Sequence, residues 1–244
     1  RSTHKALFQC KRFISEGYRY GIDMDMAKFF DTVNHSKLIE ILSRTVKDGR
    51  VISLIHKYLN AGVVVGHKFE KTEAGVPQGG PLSPLLSNIM LNELDKELQG
   101  RGHKFIRYAD DLVILCKSKR AGERIMNSVI KFIEEHLLLK VNMDKTSVVY
   151  FNQIKFLGYS FYKTKGEIRF RIHSKSIVKL KAKLRELTSR SNGWGNDKRK
   201  SKLSSFIKGW VNYYKYADIL NLMKRIDEWY RRRLRMIIWK QWKR

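Results

Sequence analysis

The sequence predicts an α+β fold, in which an antiparallel sheet with packed helices over residues 1–175 precedes a helical region over residues 176–244. Two apolar segments, KFIRY and LVILC, are separated by only three residues, which is typical of an antiparallel hairpin. Beyond residue 175 the apolar spacing is helical to the end, and all five tryptophans lie there. We therefore expect a domain boundary near residue 175.

The remaining elements follow from the spacing of their apolar residues. Residues 19–26 predict a strand, residues 36–44 and 50–60 two helices, and residues 62–75 a β-hairpin. A helix over residues 119–138 then precedes strands near residues 141–151, 154–162 and 167–172. The last helix has apolar residues at steps of four, which predicts packing on one face, with a membrane-surface helix as the alternative: Ile226, Tyr230, Leu234, Ile238 and Trp242.

The segment GVPQGGPLSP, residues 75–84, contains every proline of the chain. Proline fixes φ and glycine admits conformations closed to other residues, so this segment predicts a shaped turn. Ser83 is expected to cap a helix in which Pro84 is the first residue and which ends near residue 99. An ordinary junction between a loop and a helix is the alternative interpretation.

The charge of the chain indicates a polyanionic partner. Fifty Lys and Arg against 23 Asp and Glu give a net charge of +27. Residues 176–244 contribute 20 basic and 5 acidic side chains, which favours nucleic acid. No uninterrupted apolar run approaches the length of a membrane span. Two distant cysteines indicate no disulfide framework and a reducing compartment, with Cys116 buried in a strand.

Acidic residues interrupt the apolar strands at two places. Asp110 and Asp111 lie between KFIRY and LVILC, while Asp23 and Asp25 share one face of the strand at residues 19–26. If the two strands are neighbours, Asp25 meets Asp110 and Asp111. Three clustered carboxylates require a divalent cation, and all-oxygen ligands favour Mg²⁺. Solvated turn residues are the alternative for the adjacent pair.

Two Mg²⁺ ions about 4 Å apart activate an attacking hydroxyl and stabilise the leaving oxygen in phosphoryl transfer. A basic chain with such an acidic centre has the chemistry of a nucleic-acid polymerase. We expect two Mg²⁺ ions in this chain, with Mn²⁺ as a substitute.

The ordered motifs closely resemble those of group II intron-encoded reverse transcriptases (intron maturases) over roughly residues 1–244. DMDMAKFFDTVNH and GVPQGGPLSPLLSNIMLNELD are similar to the first two palm motifs, RYADD to the metal-binding turn, LKVNMDKT to the next motif and KFLGY to the primer grip. FIKGWVNYYKY, residues 206–216, resembles the maturase or thumb region. The resemblance implies a right-hand polymerase palm with partial fingers over residues 1–175, then an all-α basic thumb/maturase region over residues 176–244.

The resemblance also implies roles for individual residues. Asp25, Asp110 and Asp111 would bind the catalytic metal ions, and Lys145 would protonate or neutralise departing pyrophosphate, although it is otherwise an ordinary solvated lysine. Phe30 would exclude a ribose 2′-OH, unless it is simply a core aromatic. The other residues expected at the nucleotide are Ala27, Lys28, Phe29 and Gln78.

The expected primer grip is Phe156, Leu157 and Gly158. Basic residues of the helical region are expected to bind RNA, with solvated faces of a three-helix thumb as the alternative: Lys198, Arg199, Lys200, Arg231, Arg232 and Arg233. Asp23 and Asp31 are expected to be structural, and His35 to be a hydrogen-bonded residue at a helix start.

The leading hypothesis is RNA-directed DNA synthesis coupled to intron splicing and mobility. Its partners would be an RNA template and intron RNA, a DNA primer or target, and deoxynucleoside triphosphates, in the bacterial cytoplasm or an organelle. The alternatives are a non-catalytic RNA-binding splicing maturase and a CRISPR-associated, retron or phage-defence reverse transcriptase. Because RSTHKAL resembles the end of a fingers motif, we expect a fragment that lacks earlier Lys and Arg contacts to the triphosphate. Activity of this chain alone therefore stays open.

Overall fold

The computed structural model describes residues 2–26, 29–65, 68–70, 72, 74–77 and 79–242. The chain divides into two compact units, residues 1–154 and residues 155–244. The first contains a four-stranded antiparallel sheet with helices, and the second a two-stranded hairpin followed by helices. The predicted α+β class is confirmed. The functional boundary near residue 175 stays a prediction.

The first unit contains both helices and strands. Its helices are α1 (Thr3–Ser15), α2 (Phe29–Thr32), α3 (His35–Thr45), α4 (Gly49–Asn60), α5 (Ser83–Gly100) and α6 (Lys119–His136). Its strands are β1 (Tyr20–Met24), β2 (Val63–Val65), β3 (Lys68–Glu70), β4 (Lys104–Tyr108), β5 (Asp111–Cys116) and β6 (Ser147–Tyr150). The second unit contains β7 (Tyr159–Thr164), β8 (Glu167–Ile172), α7 (Ser174–Leu187), α8 (Asn196–Tyr214) and α9 (Leu220–Trp242).

The main sheet has the strand order β4-β5-β1-β6, and every neighbouring pair is antiparallel. In β5 the five residues from Leu112 to Cys116 are all buried, as expected for a strand that is covered on both faces. Helices α3, α5 and α6 share the apolar core with β1 and β5 through Leu38, Met90, Ile133, Ile22 and Ile114. The site is therefore built on the two central strands of a well-covered sheet.

Cys116 is buried at the end of β5, as predicted, and burial raises the pKa of its thiol to about 11. Burial also raises the pKa of the Cys10 thiol in α1. The thiolate is the reactive form of cysteine, so neither residue has the character of a nucleophile. Both cysteines are free.

The expected helix cap at Ser83 is wrong. Leu82 occupies the cap position of α5, and the Ser83 hydroxyl donates a hydrogen bond to the carbonyl oxygen of Pro77 instead. The Gly80 amide donates to the same oxygen. Ser83 thus forms a hydrogen bond within the segment of residues 75–84, which we call the proline turn. Pro84 still lies in the first turn of the helix, where its missing N–H costs no helical hydrogen bond.

Two predicted strands are shorter than expected because local hydrogen bonds form turns. The Lys145 and Thr146 amides donate to the carbonyl oxygen of Asn142, so only Ser147–Tyr150 remain as strand β6. The Phe156 amide and the Tyr159 carbonyl form a tight turn, so β7 begins only at Tyr159. Helices α1 and α2 were not predicted.

The predicted apolar face of α9 is wrong at its C-terminal end. Ile226 is buried, but Trp242 is 84% exposed, and Ile237 is buried in place of Ile238. A step of four residues advances about 40° beyond a full turn, so a series of such steps drifts away from the core. The core between α7, α8 and α9 contains Leu180, Leu184, Leu203 and Ile226, with tryptophans packed around it. None of the helices in the described part of the chain combines the length and the apolar character that a membrane span requires.

Gly75 joins the proline turn to the chain that follows β1. Its amide donates to the carbonyl oxygen of Val33 at 2.8 Å, and the next amide, of Val76, donates to that of Phe30 at 2.6 Å. A Cβ atom on Gly75 would lie 2.8 Å from the Phe30 oxygen and 2.9 Å from the Asp31 Cα, and its φ is +91°. Only glycine permits this approach of two backbones.

We predict that Gly75→Ala destabilises the first unit by about 3 kcal/mol, since the new methyl group meets backbone atoms and adopts an unfavourable φ. The control is Gly17→Ala, at φ +97° with open space around the Cβ position. That control should lose only about 1 kcal/mol. Urea denaturation of both variants measures the difference, and equal losses would contradict close backbone packing at Gly75.

Candidate functional site

The RYADD motif forms the turn between β4 and β5. Tyr108 pairs with Asp111, so Ala109 and Asp110 alone connect the strands, and Asp111 is already the first residue of β5. Ala109 has a φ of 55°, the left-handed region that side chains disfavour. Asp110 and Asp111 are both exposed. The tight turn therefore presents two adjacent carboxylates at the edge of the sheet.

Asp25 lies at the same edge, on the neighbouring strand. Strand β1 pairs with β5 in a register that places Met24 opposite Leu112. One residue further, the same register places Asp25 opposite Asp111. The expectation that the two acidic strands are neighbours is confirmed. Asp23 lies deeper in the sheet, opposite Val113.

Lys145 contacts the carboxylate of Asp25. Its ammonium group lies 3.1 Å from Oδ2, and the side chains of Lys145 and Asp25 are 68% and 45% exposed. The turn that carries Lys145 is fixed to the same residue, because the Asn142 amide donates to the Asp25 carbonyl oxygen at 2.9 Å. The Asp25 amide in turn donates to the Thr146 hydroxyl at 3.4 Å. A cation thus already lies against one of the three expected metal ligands.

The chemistry of these groups suits a hard divalent cation. Carboxylate oxygens are the ligands that Mg²⁺ prefers. The ion pair between Lys145 and Asp25 is exposed to solvent and therefore weak enough for a metal ion to displace the lysine. Across the described ranges, no group of three or more His, Cys, Asp or Glu has the arrangement of a metal site. The strand register therefore brings the three acids to one edge without gathering them into a coordination shell.

Phe29 and Phe30 form the start of α2, directly after the site strand. Phe29 is buried in the core, and Phe30 is half-buried with its ring edge-on to that of Phe29, at 5.3 Å between centroids. The remaining residues expected at the nucleotide, Ala27, Lys28 and Gln78, lie outside the described residues.

His35 begins α3 and is hydrogen-bonded, as predicted. Its Nε2 atom lies 2.6 Å from the Gly75 carbonyl oxygen, and Nδ1 lies 3.2 Å from the Asn60 side chain. His35 is also buried. It therefore anchors the beginning of the proline turn.

The expected primer grip forms a tight turn in the second unit. Leu157 and Gly158 have φ values of 51° and 79°, the consecutive left-handed pair of a type I′ turn. Phe156 is buried beneath it, whereas the two turn residues are partly exposed. The Tyr213 hydroxyl donates to the Leu157 carbonyl oxygen at 2.8 Å, and the Tyr159 hydroxyl donates to the Tyr213 carbonyl oxygen.

The segment FIKGWVNYYKY supports this turn from below. A Cβ atom on Gly158 would lie 2.5 Å from the Tyr214 hydroxyl, so this position admits no side chain. The Gly158 carbonyl oxygen accepts hydrogen bonds from the His173 amide at 3.0 Å and the Ser176 hydroxyl at 3.1 Å. Sequence reasoning missed Tyr213 and Tyr214 as supporting residues, although the aromatic cluster of this segment was a signal.

The basic residues expected to bind RNA occupy different environments. Arg199 is only 5% exposed, while its neighbours Lys198 and Lys200 are exposed. Arg231 forms an ion pair with Asp227 at 2.7 Å. Arg233 donates to carbonyl oxygens at the end of α7 and to the Thr188 hydroxyl. Three of the six residues are thus buried or bonded to side chains of the protein itself, while Arg232 donates from Nε to the Glu228 carbonyl oxygen at 3.4 Å.

Arg232 instead lines an open groove of about 510 Å³. We call it the basic groove, and its lining residues are Arg190, Arg232, Arg235, Met236, Trp239 and Lys240. Five of these lie on one face of α9, at spacings of three and four residues. Trp239 is 67% exposed. Sequence reasoning missed the groove, although the spacing of its residues along α9 was visible.

Comparison with known proteins agrees with the motifs. Residues 1–161 match the family model described as "Reverse transcriptase (RNA-dependent DNA polymerase)". The chain belongs to the reverse transcriptase family. Residues 177–244 match "Group II intron, maturase-specific domain". The resemblance to group II intron-encoded reverse transcriptases is confirmed.

Two relatives illustrate the similarity. Protein YkfC of Escherichia coli is 32% identical over 211 residues, covering 69% of this chain and 55% of YkfC. Group II intron-encoded protein LtrA of Lactococcus lactis is 40% identical over 113 residues, covering 46% of this chain and 19% of LtrA. The alignments therefore span about half, or less, of the length of these relatives.

A solved structure supports the fold. Telomerase from Candida albicans, in complex with a fragment of telomeric RNA, superposes with a TM-score of 0.53 at 16% identity. The alignment covers 87% of this chain and 42% of the telomerase chain. The predicted architecture, a polymerase palm followed by a helical region, is confirmed at the level of fold.

Proposed function

We propose that this chain is part of the RNA-directed DNA polymerase of a group II intron, which adds deoxynucleotides to a primer on an RNA template. The observation that carries this proposal is the β1–β5 register, because it brings Asp25 and the Asp110–Asp111 pair to one edge of the sheet. Residues 1–175 would form the palm with partial fingers, and residues 176–244 the thumb and maturase region. We keep the bacterial cytoplasm as the proposed location, with an organelle as the alternative.

Asp25, Asp110 and Asp111 would hold two Mg²⁺ ions. When bound, these ions lower the pKa of the attacking 3′-hydroxyl and neutralise charge on the leaving oxygen. Lys145 already contacts Asp25, so its ammonium group would remain within reach of departing pyrophosphate and neutralise or protonate it. The exposed turn leaves both Asp110 and Asp111 open to substrate.

Phe30 would act as the sugar gate. Its ring rests edge-on against the buried Phe29, which limits its movement, and its carbonyl oxygen is held by the Val76 amide. A fixed ring excludes a 2′-hydroxyl by steric contact, whereas a mobile ring would yield. Gln78, two residues after Val76, would contact the incoming nucleotide, and the backbone of Ala27, Lys28 and Phe29 would lie beneath its triphosphate.

The Phe156–Gly158 turn would hold the primer strand. Hydrogen bonds fix the carbonyl groups of its two central residues, Leu157 and Gly158. Both residues are partly exposed, which would let the primer strand approach the turn closely. The tyrosines of FIKGWVNYYKY would thus keep the turn rigid during synthesis.

Intron RNA would bind along the basic groove. Its four cations have no acidic residue among the groove's lining, and the exposed indole of Trp239 offers a flat surface for an unpaired base. The match to a maturase-specific domain also supports a second candidate, a splicing cofactor that binds intron RNA without DNA synthesis. The two candidates differ in whether deoxynucleotides are incorporated.

We predict that Asp110→Asn lowers deoxynucleotide incorporation on a primed RNA template roughly 1000-fold, about 4 kcal/mol in the barrier, since it removes a proposed metal ligand. Affinity for structured RNA should stay unchanged. The control is Glu134→Gln, an exposed acid on α6. Incorporation that survives in Asp110→Asn would refute the metal assignment, and an inactive wild type that binds intron RNA tightly would favour the splicing cofactor.

We predict that Phe30→Ala reduces discrimination between deoxynucleotides and ribonucleotides by about 10- to 100-fold, because the space for a 2′-hydroxyl opens. The measurement is the ratio of kcat/KM for dATP and ATP in single-nucleotide incorporation. Phe132→Ala removes a partly buried ring on α6 and serves as the control. If both variants keep the wild-type ratio, Phe30 is a packing residue and not the gate.

We predict that Arg232→Gln with Arg235→Gln reduces the slope of log K against log salt for intron RNA by about 1.4 to 1.8, because two phosphate contacts are lost. The control is Arg231→Gln with Lys183→Gln, which removes the same charge from residues already paired with Asp227 and Glu186. That control should leave the slope nearly unchanged. Equal changes in both pairs would mean that only overall charge matters.

A further inference from the structure

Arg107 connects the turn between β4 and β5, which carries Asp110 and Asp111 and which we call the acidic turn, to helix α5. Its guanidinium donates from Nε and Nη2 to the two carboxylate oxygens of Asp95, at 2.8 and 2.5 Å. Nη1 donates to the Asn88 side-chain oxygen at 3.1 Å and to the Ala109 carbonyl oxygen at 2.8 Å. The side chain is only 10% exposed. One planar group thus joins four acceptor oxygens on three residues, and one of these oxygens belongs to the peptide bond before Asp110.

The helix side of this connection is preorganised. Asn88 and Asp95 are seven residues apart on α5 and therefore lie on the same face, two turns from each other. The Asn88 amide donates from Nδ2 to the Pro84 carbonyl oxygen at 2.9 Å, which leaves its oxygen directed to Arg107. Helix α5 begins directly after the proline turn. The same rigid helix therefore carries both that turn and the two residues that bind Arg107, Asn88 and Asp95.

The turn side needs such support. Ala109 has a left-handed φ of 55°, which is unfavourable for a residue with a Cβ atom. A residue held in such a conformation persists where its surroundings determine it. The bond from Arg107 to the Ala109 carbonyl oxygen fixes the plane of the peptide that leads into Asp110. The direction of the Asp110 side chain follows from that plane.

We propose that Arg107 is a positioning residue for the acidic turn. Because Asp95 and Asn88 hold its guanidinium by hydrogen bonds, Arg107 sets the orientation of Asp110 relative to the proline turn. This inference rests on the proposed function for its consequence in catalysis, but not for its structural content. Arginine is required because its planar fork binds a carboxylate with two bonds and still has a further N–H for the turn. A lysine offers a single point charge that cannot span these acceptors.

The test is hydrogen exchange measured by mass spectrometry on the full chain. In Arg107→Lys we expect amide exchange over residues 109–112 to accelerate about tenfold, as lost charge-assisted hydrogen bonds open the turn. Peptides from β1 and α6 should keep the wild-type rate. The matched control is Arg101→Lys, which changes an arginine at the end of α5 that bonds Glu97 and Ser128 instead of the turn.

A double-mutant comparison separates positioning from general stability. Asp95→Asn should accelerate amide exchange over the same residues. Combining it with Arg107→Lys should add little, because both substitutions break the same pair of hydrogen bonds between Arg107 and Asp95. Acceleration spread evenly over the first unit, or none in either variant, would overturn the inference. Should Arg107→Lys fail to fold, Asp95→Asn and Asn88→Ala decide the question by the same criterion.

The catalytic consequence is measured separately. Arg107→Lys should lower kcat for single-nucleotide incorporation about 100-fold, the effect of a misplaced group, while KM for the primed template stays within about twofold. Local acceleration of exchange with unchanged kcat would overturn the role in catalysis. An inactive wild type would count against polymerase activity of this chain alone, and the exchange result would still decide whether Arg107 positions the turn.

Discussion

Backbone hydrogen bonds between β1 and β5 place Met24 opposite Leu112. This register places Asp25 opposite Asp111, the first residue of β5. Side chains alternate along a strand, so a slip of one residue would direct Asp25 to the opposite face. The register is held by the apolar residues of both strands, among them Ile22 and Ile114, which are fully buried. The position of the acidic site is therefore determined by the hydrophobic core behind it.

Cations of two kinds support the acidic edge. Lys145 contacts Asp25 from an exposed turn, so this pair is weakly held and open to exchange with other cations. Arg107 is largely buried, and its guanidinium bonds the backbone of the turn at the Ala109 carbonyl oxygen while it is held by Asp95, so it stays in place when the charge at the edge changes. The exposed cation can respond to ligands, whereas the buried one maintains the geometry. Under the proposed function, this division would let the site bind highly charged substrates without losing its shape.

The sequence predicted those features that depend on short-range pattern. LVILC is an unbroken apolar run, and three residues between two strands leave room only for a tight turn, so the hairpin and its carboxylates were visible. The turn after Val141 and the turn before Tyr159 were not, because their backbone bonds override a strand-like sequence. Arg107 was overlooked for a different reason. Its partners Asp95 and Asn88 lie 12 and 19 residues away, and only the packing of α5 on the sheet brings them together.

The same distinction governs the basic helices. Arg231, Arg232 and Arg233 are equivalent in sequence, yet Arg231 pairs with Asp227 and Arg233 bonds the end of α7, which leaves Arg232 in the groove. A cation that is already paired within the protein gains less from a phosphate, because it must first give up its partner. Counterion release on the proposed RNA binding would thus depend on cations that share one surface and are not engaged by an acidic side chain there, as in the basic groove. Under the proposed function, overall charge would draw RNA towards the chain, and tertiary contacts would determine which arginines bind it.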